Sequence, residues 1–330
     1  MFNWSKQIIL LTGGTGSFGQ EFTKTILKKH PPKILRIYSR DEYKQHLMQQ
    51  QFQHKSLRFF IGDVRDETRL KRAMQDVTLV MHTAAMKQIV AAEYNPTEAV
   101  QTNIIGTINV LNTAIDAGVE RVFGLVTDKA VSPINLYGAT KLCMEKILIQ
   151  GNVFVGKGKT RISCARYGNV AGSRGSVIPL FRTQLQSGLL TLTDKNMTRF
   201  WITLEKAIDF ILNAIEAMEG GEVFIPKMPS FKLLDLAQAI SPEAEYKNIG
   251  IRPGEKMHED LITIHESHNV FEFADYYILY PEFEFRKSKK KLKNKGKKVR
   301  KGFYYDTYSN PRFLSVKQLT SLLHEVPSSQ

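Results

Sequence analysis

Cysteine is nearly absent: Cys143 and Cys164 are the only two in 330 residues. Two thiols support neither a disulfide framework nor a tetrahedral zinc site, so no metal is expected. Long apolar runs are missing too. No stretch reaches the roughly eighteen apolar residues a membrane-spanning helix needs, so no membrane partner is expected. The opening Met1-Phe2-Asn3-Trp4-Ser5-Lys6 lacks the charged and apolar regions of a secretory signal, which points to a cytoplasmic location. Acidic residues are outnumbered 32 to 46 by Lys and Arg, a net charge of +14. Eleven of those cations lie between residues 286 and 301, where there is no acid, so the remainder is close to balanced. Such a run with few aromatics reads as a solvated segment; no nucleic-acid partner is expected without a reading helix or stacking platform. No internal repeat is present.

What the chain does have begins near residue 8. Ile8-Ile9-Leu10-Leu11 is a short apolar run that reads as a buried parallel strand. It leads into Thr12-Gly13-Gly14-Thr15-Gly16-Ser17-Phe18-Gly19 and then a helical stretch, Glu21 to Lys29. Gly14, Gly16 and Gly19 fit G-x-G-x-x-G, while Gly13, Gly16 and Gly19 fit G-x-x-G-x-x-G. In either frame the glycines permit a tight turn, a close approach to a pyrophosphate and close packing of helix on strand. The helix N-terminus faces the anion.

A second strand, Ile34 to Tyr38, ends at Ser39-Arg40-Asp41-Glu42, with Lys44 beyond. An acidic residue there binds the ribose 2′-hydroxyl of NAD, whereas an arginine accommodates the 2′-phosphate of NADP. The planar guanidinium of Arg40, with Ser39 and Lys44 as further donors, points to NADP. Further strands are expected over Phe59 to Val64, with Asp63 and Val64 closing on the adenine, over Val77 to Met81, and over Val122 to Thr127. Small residues at Thr83, Ala84 and Ala85 would let the backbone approach the cofactor, beside Lys87. Strands alternate with helices to about residue 170, so the fold class is α/β: a Rossmann-type doubly wound parallel sheet with a smaller C-terminal substrate-binding lobe.

Thr127-Asp128-Lys129 then stands just before Tyr137-Gly138-Ala139-Thr140-Lys141. Tyr137 and Lys141 are one helical turn apart on one face, which suits a phenol exchanging a proton during hydride transfer. Asp128 and Lys129 add a second acid and base, which simple oxidation does not need and elimination does.

These residues resemble the extended short-chain dehydrogenases/reductases and, more narrowly, the inverting UDP-N-acetylglucosamine 4,6-dehydratases that open pseudaminic acid biosynthesis. The matching stretches include Thr12 to Gly19, Tyr38 to Glu42, Ile61 to Asp66, Thr127 to Ala130 and Pro133 to Leu142. Later come Arg166-Tyr167-Gly168-Asn169-Val170, Gly172 to Val177, Met197 to Thr203 and Ile251-Arg252-Pro253-Gly254-Glu255-Lys256. The likeness runs from about residue 7 into the 280s. It departs at Val126, where the family usually has serine, and at His82-Thr83-Ala84-Ala85-Met86-Lys87, where it has His-Ala-Ala-Ala-Leu-Lys.

The resemblance implies residues 1–168 as an NADP-binding domain, rejoined by about 199–220. Residues 169–198 and 221–285 then form a nucleotide-sugar-binding lobe, and 286–330 a basic extension. It implies Tyr137 as the base at C4, Lys141 lowering the phenol's pKa and holding the nicotinamide ribose, and Thr127 bonded to the C4 oxygen. Lys129 would take the C5 proton and Asp128 would protonate the departing C6 hydroxyl. Asp128 must then keep a proton and Lys129 lose one near neutrality, against ordinary values near 3.9 and 10.4. Burial of a neutral pair drives both that way, and exchange of one proton between the neighbours is a second account. The UDP moiety would fall to Lys87, Asn169, Ser176, Val177, Arg199, Arg252 and Glu255, and a homo-oligomer, a hexamer by family likeness, is implied. A UDP-sugar 4-epimerase needs no elimination groups, and a non-catalytic NADP sensor has no use for the tyrosine-lysine pair.

Overall fold

The computed structural model describes residues 2–172, 176–283 and 292–326. Residues 286–291 of the basic run and 173–175 of the lobe motif therefore lie outside the described residues. Six strands run parallel: β1 (Ile8–Thr12), β2 (Ile34–Ser39), β3 (Leu57–Ile61), β4 (Leu79–His82), β5 (Arg121–Thr127) and β6 (Arg161–Tyr167). Their order in space is β3-β2-β1-β4-β5-β6. The direction of winding reverses between β1 and β4, and a crevice opens there at the carboxyl ends of the strands. Ile9, Leu10 and Leu11 of β1 have no exposed surface, as a strand covered on both faces requires.

Past β6 the sheet continues with Val223–Pro226, which is parallel to it. Antiparallel Tyr276–Leu279 and Val270–Glu272 follow, and Lys297–Lys298 lies at the edge. Lysines on an edge strand discourage pairing with a second sheet. Lys293 is anchored nearby, its ammonium about 5 Å from the Phe271 and Tyr280 rings. The described part of residues 286–330 is thus woven into the fold. Tyr305–Asp306 pairs with Asp260–Ile262, and the helix Val316–Leu323 packs on the helix Leu233–Ile240. Strands of two residues carry no alternation that a sequence pattern can reveal. The helix Leu204–Ala217 returns to the sheet layer and packs on Ser17–Lys29, contributing Ile208 and Ile211 to the main core. A separate apolar cluster around Phe181, Leu190, Trp201, Phe231 and Leu236 forms the smaller lobe.

One buried cation ties these parts together. Arg166 on β6 bonds both oxygens of Glu145, through Nε at 2.9 Å and Nη2 at 2.5 Å. It also reaches Glu266 at 2.9 Å and the Leu261 carbonyl at 2.7 Å. Glu145 lies on the helix Leu136–Gln150, and Glu266 caps the turn Ile264–Asn269. Arg166→Met strands two carboxylates and should cost about 3–5 kcal/mol in denaturant unfolding. Adding Glu145→Gln and Glu266→Gln should recover part of it, because no unpaired charge remains. A loss under about 1 kcal/mol for Arg166→Met would mean the clamp does not hold these segments.

Candidate active site

The loop after β1 resolves the two possible glycine frames. Gly13 has φ +69°, and a Cβ there would come within 2.9 Å of the Ala84 backbone. Gly13 therefore makes the tight turn, Gly16 caps the helix Ser17–Lys29, and Gly19 packs the helix onto Gly14. Thr15, Ser17 and Phe18 line the same crevice, as do Ala84, Lys87 and Val64. The crevice continues into a cavity of about 800 Å³ that reaches the small lobe, a size suited to a sizeable organic ligand.

At the end of β2 the charges are sorted. Asp41 caps the helix Glu42–Gln51 by accepting from the Lys44 N–H at 2.9 Å, and it pairs with the Lys44 ammonium at 2.7 Å. Ser39 Oγ accepts from Gln45. The Arg40 side chain is 61% exposed at the crevice edge, with Asp63 3.7 Å away. Asp63 is itself held by Arg65 at 2.7 Å.

The candidate reacting groups converge from neighbouring elements. Asp128 and Lys129 form a single helical turn at the end of β5, and Tyr137 and Lys141 lie on the helix Leu136–Gln150. Gly138 lets that helix approach, since a Cβ there would overlap the Lys129 carbonyl. Thr127 Oγ1 donates to Asp128 Oδ1 at 2.7 Å. Asp128 Oδ1 also receives the Lys129 N–H at 2.9 Å and the Lys129 ammonium at 3.1 Å. The ammonium meets a second carboxylate, Glu259 Oε1, at 3.3 Å. Sequence reasoning missed Glu259, which lies 130 positions away and carries no motif signal of its own.

These neighbours set the titration. Burial pushes Lys129 down, but the Asp128 and Glu259 carboxylates outweigh it and hold the ammonium above the ordinary lysine range. The neutral Lys129 that C5 deprotonation requires is therefore not its resting form. Burial raises the Tyr137 phenol to about 12; the Lys129 cation and a Thr127 hydrogen bond only partly oppose this. Lys141, expected to lower the phenol, instead donates to the Leu125 carbonyl at 2.6 Å and lies 2.9 Å from Met144 Sδ. Burial brings Lys141 itself down to about 8.

A second missed residue, Asn103, braces the other wall. It accepts from the Met86 N–H and donates to the Met86 carbonyl and to Thr140 Oγ1, all within 2.9 Å. It sits in a π-helical turn, Gln101–Ile105, a deformation common at functional sites. His82 is fully buried between Thr12 and Thr107, and burial drops its pKa to about 3, so it is neutral.

On the lobe side, Asn169, Ser176, Val177, Arg252 and Glu255 line the cavity. Arg252 pairs with Glu255 at 2.8 Å. Arg199 is less free than its sequence context implies. Its guanidinium donates to the Thr198, Met257 and Lys256 carbonyls, leaving Nε 3.8 Å from Glu259. Among the described residues, eight buried side-chain polar atoms have no partner, and six belong to residues lining this cavity. These are Asp128 Oδ2, Asn169 Oδ1, Ser176 Oγ, Trp201 Nε1, Glu255 Oε2 and Glu259 Oε2. Orphaned groups gathered in one cavity mark a place built for a polar ligand.

The sequence profile of the family described as "Polysaccharide biosynthesis protein" matches residues 9–281. A protein of Campylobacter jejuni named "UDP-N-acetylglucosamine 4,6-dehydratase (inverting)" is 48% identical, over 98% of each chain. A Rickettsia rickettsii protein named "UDP-glucose 4-epimerase" is 42% identical, over 82% of this chain and 81% of that one. The X-ray structure of Pen from Bacillus thuringiensis superposes with a TM-score of 0.90 at 37% identity, covering 98% of this chain and 99% of that one.

The opposed surroundings of the two lysines can be checked by unfolding. Below pH 8 the folded state buries the Lys141 ammonium at a cost, and the unfolded chain does not. From pH 8 to about 10.4 only the unfolded state keeps that proton, so the cost disappears as pH rises. Lys141→Met should stabilise the protein at pH 7 by up to about 3 kcal/mol, and the gain should fade by pH 10. A gain that does not change between pH 7 and 10 would refute the shift.

Proposed function

We infer the function from one premise: this chain belongs to the polysaccharide biosynthesis protein family. Within it the protein acts as a hydro-lyase, dehydrating UDP-N-acetylglucosamine across C4 and C6. The finer reading is inversion at C5, giving UDP-2-acetamido-2,6-dideoxy-β-L-arabino-hex-4-ulose, the first step towards pseudaminic acid. The observation that carries it is the meeting of Tyr137 and Lys141 with the Asp128–Lys129 pair at one cavity. The name of the Campylobacter jejuni relative supports the same reading.

NADP is the proposed cofactor, and the crevice fits a dinucleotide. The Gly13 turn leaves no room for a Cβ against Ala84, and the helix beginning at Ser17 presents its N-terminus. Gly13, Thr15, Gly16, Ser17, Phe18 and Gly19 would hold the pyrophosphate, with Asp63 and Val64 at the adenine and Ala84, Lys87 and Lys141 further in. When bound, the nicotinamide accepts a hydride and returns it. Arg40 favours the 2′-phosphate because Asp41 is committed to the helix cap and to Lys44.

The chain's own groups do the proton work. Tyr137 accepts the C4 hydroxyl proton, oriented by Thr127. Lys129 removes the C5 proton, made acidic by the new ketone, and Asp128 supplies the proton with which the C6 hydroxyl leaves. Asn169, Ser176, Val177 and Glu255 hold the nucleotide, with Arg252 at the diphosphate and Arg199 setting the shape of the wall. The protein assembles as a homo-oligomer in this reading.

Proton NMR with UDP-N-acetylglucosamine, and no added reductant, tests the reaction. A C6 methyl signal and a 4-keto sugar should appear, and deuterium should enter C5 in deuterated water. Conversion to UDP-N-acetylgalactosamine alone would replace this reading with the 4-epimerase, the activity named for the Rickettsia rickettsii relative. For the cofactor, Arg40→Ala should weaken NADP at least tenfold while NAD changes little, because a guanidinium-phosphate bond is lost in one case only. Equal affinity of the unmodified protein for NAD and NADP would overturn the assignment.

A further inference from the structure

Lys129 can serve as a base only after it has lost a proton, and something in a closed site must receive that proton. Asp128 cannot be the receiver if, as proposed above, it already carries the proton meant for the C6 oxygen. Three donors also converge on its Oδ1, from Thr127, the Lys129 backbone and the Lys129 ammonium. Glu259 is differently placed. Its side chain is 2% exposed, its Oε1 lies 3.3 Å from the Lys129 ammonium, and its Oε2 is buried with no partner. Its backbone is fixed from both sides by Thr307, which accepts the Glu259 N–H and donates to the Glu259 carbonyl, each at 2.9 Å.

We propose that Glu259 is the proton-holding partner of Lys129, taking the lysine's proton so that the free amine can remove the C5 proton. This rests on the dehydratase reading and deepens it. The protons of the elimination half balance within the cluster. The Lys129 proton passes to Glu259, the C5 proton passes to Lys129, and the Asp128 proton leaves with the C6 hydroxyl as water. The C5–H electron pair forms the C5–C6 double bond as the C6–O bond breaks. Lys129, 3.1 Å from Asp128 and 3.3 Å from Glu259, then hands a proton to Asp128 and regains one from Glu259. The cluster returns to its starting state with no outside acid or base.

The surroundings favour a proton on Glu259. Burial raises its pKa above the ordinary carboxyl range, against the opposing charges of Lys129, Arg199 and Lys256. These groups come from the β5 turn, the strand Thr198–Phe200 and the loop before Asp260. Tyr137, on the helix Leu136–Gln150, faces Lys129 from the remaining side.

The test is the pH dependence of C5 deuterium incorporation, from pH 5.5 to 7 and so below the Lys141 titration, with UDP-N-acetylglucosamine in deuterated water. The ion pair and the neutral pair hold the same number of protons, so the wild-type rate should be flat across this range. In Glu259→Gln, Lys129 must lose its proton to solvent. The rate at pH 7 should fall by about 10² and climb about tenfold per pH unit. Glu259→Asp keeps an acceptor and should restore the flat profile at a reduced rate. A Glu259→Gln rate that is low but flat would assign Glu259 a purely structural role and overturn the proposal, as would an unchanged rate. A wild type that makes no methyl sugar would overturn the dehydratase reading itself, and this inference with it. Wild-type product with a flat Glu259→Gln profile overturns the inference alone.

Discussion

Lys129 carries its charge where an unpaired ammonium would be penalised by several kcal/mol, and it is tolerated because two carboxylates meet it. Asp128 comes from the end of a central parallel strand, Glu259 from a segment packed against the smaller lobe. The cation therefore also has a structural part. It joins the two layers at the floor of the cavity, and the wall that Arg199 builds from three carbonyls holds Glu259 in range. Arg166 performs a similar service behind the site, binding the Tyr137 helix to β6.

The two lysines twelve positions apart show how local company decides chemistry. Lys129 has two anions and is held charged; Lys141 has a carbonyl and a sulfur and is pushed towards neutrality. A reading of the motif alone expects the reverse, a neutral Lys129 and a cationic Lys141 beside the phenol. The Lys141 ammonium donates to the Leu125 carbonyl, and burial holds the Tyr137 proton tightly. A working site must therefore redistribute protons when substrate arrives, and a chain of groups within hydrogen-bond reach is the device that permits it.

How much of this was legible follows from sequence distance. The glycine turn, the strand that precedes it and the Tyr137/Lys141 pair depend on neighbours within about ten residues, and they stand where the pattern put them. The parallel order β3-β2-β1-β4-β5-β6 follows from the alternation of strands and helices. Glu259 and Asn103 were not legible, because their roles arise from contacts across 130 and 37 positions. Arg199 was expected among the UDP ligands, yet its Nη1 and Nη2 donate to backbone carbonyls that no local pattern announces. The residues after 292 looked like a separate tail because edge strands of two residues and a helix of eight have too few turns to display a period.

The cavity itself is the last step of the argument. Each buried polar atom left unbonded destabilises the fold by about 1–3 kcal/mol, and six cluster at one place. A chain under selection for stability alone would have filled that space with apolar side chains. Four of the six are carboxylate or amide oxygens, which accept hydrogen bonds; Ser176 can do either, and Trp201 can only donate. The complementary ligand is thus rich in O–H and N–H groups where it meets Asp128, Asn169, Glu255 and Glu259. An N-acetylated sugar joined to a uridine offers hydroxyls and amide N–H groups along its length, whereas its diphosphate needs donors instead. Those are found at Arg252 and at the start of the helix Val177–Gln184, on the lobe side of the same cavity. A cavity that offers both acceptors and donors in one enclosed space suits a ligand with many hydrogen-bonding groups better than a simple alcohol.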